Sequence, residues 1–130
     1  FSIEQPLYER LEHLVQESGC ENRSEFLRDL IRQRLVERQW EAGDEVVGTI
    51  TLVFDHHRRS LSERLTELQH EHHDHILAST HVHLDAHICA EVILAKGPAE
   101  EIQHIADELS RQKGVLHAAL SVGTTGQALG

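Results

Sequence analysis

Apolar positions recur along this chain with two periods. At the start, Phe1 and Ile3 flank Ser2 in the alternation of a half-buried strand, with the serine turned away from the core. From Pro6, whose fixed φ suits a first helical turn, the spacing lengthens. Leu7, Leu11, Leu14 and Val15 fall at i, i+4, i+7 and i+8 and make one stripe of a helix that Gly19 stops. Asn22 then offers an N-cap, and Glu25 three residues on completes a capping-box-like exchange. The second helix runs from about Arg23 to Trp40, with Phe26, Leu27, Leu30, Ile31 and Leu35 on a broad apolar face and Arg28, Arg32, Arg34 and Arg38 among acids opposite. A strand and two helices in about 40 residues bury too little to be stable alone, so this part is expected to fold as an intertwined dimer.

Trp40 to Glu45, with Gly43 and adjacent acids, reads as a linker, which places one domain over residues 1–42 and another over 46–130. Val46 to Phe54 reads as a strand with Ile50, Leu52 and Phe54 on one face. Ser60 and Glu63 form a capping box before a helix carrying Leu61, Leu65 and Leu68. Ile76, Ala78, Thr80, Val82 and Leu84 alternate with Leu77, Ser79, His81 and His83, giving a strand with one histidine-bearing face. A turn around Asp85 to His87 leads into a strand from Cys89 to Lys96. Gly97 and Pro98 open a helix that turns Ile102, Ile105, Ala106 and Leu109 inward and ends at Gly114, and Val115 to Val122 is the last strand. The expected class is α+β, a strand-helix-helix unit ahead of a ferredoxin-like βαββαβ domain.

Composition narrows the function. In 130 residues, 39% hydrophobic and 26% charged is a globular balance, and no apolar run approaches the roughly 18 residues of a membrane span. No leader pattern precedes the first helix, although opening at Phe1 without a methionine suggests that a few residues are missing. Cys20 and Cys89 make no disulfide framework, which points to a reduced, cytoplasmic setting with both thiols free. A net charge of −10 excludes a broadly basic nucleic-acid-binding surface. Histidine is the outlier: 12 in all, seven of them between His70 and His87.

The spacing of those histidines suggests a metal site. His81 and His83, at i and i+2 of a strand, project from one face, and Cys89 returns to that face if the two strands pair as a hairpin. His70 lies about 180° from the apolar anchor Leu61 by helical rotation, so it points away from its own core. An outward ligand beside a three-donor site suggests a metal shared between subunits, and Glu91, on the same strand face as Cys89, can orient an imidazole. Zn(II), Ni(II), Cu(II) and Co(II) all suit such donors. His72, His75 and His87 individually read as solvated surface, Cys20 as incidental, Glu25 and Asp29 as solvated or capping acids, and Arg58 and Arg59 as an exposed loop pair able to touch phosphate. A hydrolase would keep an open coordination position beside a general base, and no such motif is found. A histidine-rich storage or delivery protein is the alternative, but it gives the strand-helix-helix unit no role.

The chain resembles the nickel-responsive transcriptional regulator (NikR) family over essentially its whole length. The residues that carry the likeness are Asn22-Arg23-Ser24-Glu25 with Leu27-Arg28-Asp29, and the run Gln69-His70-Glu71-His72-His73-Asp74 through Thr80-His81-Val82-His83 to Cys89. The resemblance implies a ribbon-helix-helix DNA-binding dimer joined to an ACT-like domain that assembles a homotetramer, a dimer of dimers that binds a double-stranded operator and represses nickel uptake. It makes His81, His83 and Cys89 ligands of Ni(II) from one subunit and His70 the ligand from a neighbour, with Gln69 and Glu91 behind them. Glu25 and Asp29 match carboxylates that hold a second, hard cation such as K+. Ser2 resembles the last of three base-reading strand residues, Arg58 a contact to the DNA backbone, and Asn22, Arg23 and Arg28 belong to the same DNA-binding unit. The other two base-reading positions precede Phe1, and His56, His57, His72, His73 and His75 exceed the core motif.

Overall fold

The computed structural model describes residues 2–130, and Phe1, one end of the expected first strand, lies outside them. The chain divides into two compact units, one ending at Leu35 and the other spanning Val36–Gly130.

The first unit begins without regular structure at Ser2 to Glu4; among the described residues no strand precedes the first helix. A strand needs a partner for its backbone groups, and in a two-chain ribbon that partner is the other chain. Helix α1 (Gln5–Ser18) starts around Pro6 and is closed by Gly19 at φ 79°, a left-handed cap that glycine adopts without a Cβ clash. Helix α2 (Arg23–Glu41) starts as its sequence specifies: Asn22 Oδ1 accepts the Glu25 N–H at 2.9 Å, while the Glu25 carboxylate reaches back to the Glu21 N–H at 3.1 Å. No described residue of α2 is buried, and Leu30, Ile31 and Leu35 lie open in the single chain, as does Leu14 of α1. Contiguous apolar exposure of this kind marks an interaction surface.

The second unit is one antiparallel sheet in the order β2-β3-β1-β4, with two helices on one face. Its strands are β1 (Glu45–Asp55), β2 (Ile76–His83), β3 (Ile88–Pro98) and β4 (Val115–Val122); its helices are α3 (Leu61–Glu71) and α4 (Ala99–Ser110). This is the ferredoxin-like arrangement the sequence predicts. Ile50, Leu52 and Phe54 of β1 are buried against Leu61 and Leu65 of α3 and Ile105 and Leu109 of α4. The segment read as a linker begins inside α2: Trp40 packs on the cluster of Val46, Ala95, Ala99 and Ile102, and its Nε1–H donates to the Gly123 carbonyl at 2.9 Å. Gly48 permits this, since a Cβ there would sit 3.1 Å from the indole and 2.8 Å from Ile102.

Two local expectations are corrected. Ser60 does not cap α3: its φ is 68°, outside the extended region an N-cap side chain needs to reach the third amide, and it makes no cap hydrogen bond. Helix α4 stops at Ser110, four residues short of Gly114, because Arg111 to Lys113 already turn; Gly114, at φ 106°, instead sets the entry to β4.

Candidate metal centre

The β2–β3 hairpin carries the candidate ligands. Its register sets His83 opposite Cys89 and His81 opposite Glu91, so all four point to the helix-covered face, the face of Phe54. The hairpin loop is fixed by Asp85, whose Oδ1 accepts the N–H groups of His87 at 2.7 Å and Ile88 at 2.8 Å. Those two bonds hold the Asp85 carboxyl below its ordinary range.

Cys89 is fully buried at the floor of the site, with its sulfur 3.2 Å from His83 Nδ1. Burial pushes its thiol pKa up, and Asp55 and Asp85 push it further. The His81 and His83 rings stand 5.3 Å apart, and His81 packs edge-on against Phe54. Behind them Glu91 is a buried carboxylate that accepts hydrogen bonds from Gln69 Nε2 at 2.6 Å and Ser79 Oγ at 3.0 Å, and it lies 3.9 Å from His81 Nδ1. Gln69 projects from α3, so helix and hairpin are tied together directly behind the ligands.

His56, which the sequence reading placed among the surplus imidazoles, is brought into this group. Ligand atoms of His56, His83 and Cys89 all lie within 4.8 Å of one another, and the His56 ring meets that of His83 at 5.2 Å. Its buried Nδ1 has no hydrogen-bond partner. Two imidazoles and a thiol this close, with one ring nitrogen unpaired, suit a borderline divalent ion such as nickel. Its place follows from the strand register, which local spacing does not encode: β1 pairs Asp55 with Ile88, so the next residue lands at the hairpin. His70 is exposed in the last turn of α3 and belongs to neither of the two ligand groups found among the described residues.

The second group is Glu71, His72 and Glu108. His72 is not a solvated side chain; it is 18% exposed, with Nε2 3.0 Å from Glu108 Oε2. Spacing could not reveal this, because Glu108 lies on α4, 36 residues away.

In the first unit, Ser2, Asn22 and Arg28 are exposed. Arg23 is engaged, at 2.7 Å from the Tyr8 hydroxyl and 3.3 Å from Glu12, with its guanidinium over the Tyr8 ring. Glu25 bonds the Glu21 amide, and Asp29 Oδ2 lies 3.8 Å from the Cys20 sulfur. Arg58 is exposed in the loop before α3.

Residues 47–122 match the model of the NikR C-terminal nickel-binding domain, and residues 1–38 match that of ribbon-helix-helix proteins of the copG family. Among curated proteins, a putative nickel-responsive regulator of Geobacter sulfurreducens is 55% identical over 98% of this chain and 93% of its own. A relative of the same description from Geotalea uraniireducens is 54% identical over the same shares, and one from Nitratidesulfovibrio vulgaris is 47% identical. An uncharacterised protein from Thermotoga maritima shares the fold at a TM-score of 0.55 and 16% identity, over 61% of this chain and 98% of its own. Among the described residues no helix is long and apolar enough to cross a membrane.

Proposed function

The chain belongs to the nickel-responsive regulator family, and from that premise we propose that it is a nickel-dependent DNA-binding repressor of nickel uptake. The observation that carries this reading is the convergence of buried Cys89 with His83 and His56 beside His81, on a domain that follows a ribbon-helix-helix unit. Nickel, when bound, supplies a rigid junction between donors. His81, His83 and Cys89 hold it from one subunit and His70 from a partner subunit, while Gln69 and Ser79 orient the Glu91 carboxylate beside His81. A ligand drawn from two chains lets the ion favour one arrangement of the assembly.

The assembly is a cytoplasmic homotetramer, a dimer of dimers. The apolar residues left open on α1 and α2 support an intertwined dimer, whose paired strands present Ser2 to the major groove. Asn22, Arg23, Arg28 and Arg58 hold the DNA backbone, local contacts that operate despite the net charge of −10. Glu25 and Asp29 bind a second, hard cation such as K+.

An absorbance titration of reduced, full-length protein with Ni(II) tests the site. A thiolate charge-transfer band is expected to saturate at one ion per chain, and duplex DNA selected from a random pool is expected to bind only with nickel present. His81→Ala is expected to abolish the thiolate band and the nickel-dependent DNA binding together, whereas Arg28→Ala keeps the band and loses the DNA. Nickel-dependent DNA binding by His81→Ala overturns the ligand assignment. Unchanged cellular nickel in cells lacking the protein overturns the uptake assignment.

A further inference from the structure

The group at the end of α3 has the make-up of a metal site in its own right. His72 closes the helix and points Nε2 at Glu108 Oε2 across a 3.0 Å gap, with both side chains about three-quarters or more covered. Ligand atoms of Glu71, His72 and Glu108 lie within 4.8 Å of one another. Separations near 3 Å between donor atoms are those of neighbouring ligands on one ion with bonds of about 2.1 Å. The other oxygen of Glu108 is also fixed: His104, one turn earlier on α4, places Nε2 2.7 Å from Oε1. The two imidazole rings stand edge to face at 6.1 Å around the carboxylate.

We propose that Glu71, His72 and Glu108 form a second divalent-metal site in each chain, built only of nitrogen and oxygen donors, with His104 as the positioning residue that orients the Glu108 carboxylate. One imidazole and two carboxylates select a borderline first-row ion of the Zn(II) or Co(II) kind. The site draws all its donors from one chain and shares none with the thiolate centre, so it does not depend on the nickel reading. It differs from that centre in two respects: it lacks sulfur, and Glu71 leaves one side open to water.

Cobalt(II) alone separates the two sites, because only the thiolate centre gives sulfur-to-metal charge transfer. Anaerobic titration of reduced, full-length protein is expected to show two ions per chain, the second adding d–d absorption and no thiolate band. His72→Ala and Glu108→Gln are each expected to reduce the count to one and to keep the thiolate band. His104→Ala alters a side chain that is 55% exposed; with the fold verified by its helical signal, it is expected to weaken the second ion by about 10–100-fold and leave the first alone. His81→Ala gives the reverse pattern, losing the thiolate band and keeping the second ion. The proposal is overturned by a single cobalt ion per wild-type chain that carries the thiolate band, or by a second ion that His104→Ala leaves at full affinity. If the thiolate band fails to form while the oxygen- and nitrogen-bound ion remains, the nickel assignment falls and this site stands.

Discussion

At the scale of single residues, Cys89 decides how the centre answers to pH. The sulfur is fully buried and its pKa is raised, so the metal-free protein holds a neutral thiol at neutral pH, and the proposed ligation would expel its proton. A folded-state pKa above the ordinary thiol value means that metal competes with the proton over the whole neutral range. Nickel affinity is therefore expected to climb steadily from pH 6 to pH 8, with about one proton released per ion from Cys89. Titration calorimetry in buffers of differing ionisation enthalpy measures that proton, and zero release with bound nickel would remove Cys89 from the ligand set. His81, His83 and Cys89 could be placed in the sequence because i and i+2 on a strand, followed by a short turn, leave little choice of face. His56 could not, because its place depends on how β1 and β3 register, a long-range pairing that no local spacing encodes.

At the scale of elements, local chemistry was most readable where one side chain answers one backbone group. Gly19 closes α1, and Asn22 opens α2 by accepting the Glu25 amide. Asn22→Ala is expected to lower stability by about 1 kcal/mol, read from denaturant melts of the helical signal. A loss below about 0.3 kcal/mol would show that the amide finds water instead. Ser60 misled because the sequence Ser-x-x-Glu matches a capping box, while the backbone at Ser60 takes a positive φ and its side chain makes no cap hydrogen bond. Alternation along β1 was legible because one face is wholly buried. Edge strand β2, almost entirely exposed, was legible through its own two-residue period, yet the register shift between Ile76 and Ala78 was not. The first strand was legible only as an amphipathic pattern, and the described residues Ser2 to Glu4 carry no regular structure in the single chain.

At the scale of the whole molecule, the sheet of the second unit has helices on one face alone. The opposite face leaves Val82 and Val92 open, and the first unit leaves Leu14, Leu30, Ile31 and Leu35 open as well. If the proposed tetramer covers such surfaces, much of the stability of each chain resides in its neighbours. Folding then obeys mass action. The melting temperature is expected to rise by several degrees over a hundredfold increase in protein concentration, and a midpoint that stays constant over that range would show that the single chain is stable with these faces bare. For a regulator that assembles in this way the consequence is one of abundance: at low copy number a larger share of chains would stand unassembled, and a modest rise in synthesis would yield more than a proportional rise in competent complexes. On that assembly, bare apolar faces on a small chain would make its own copy number a second input beside the metal.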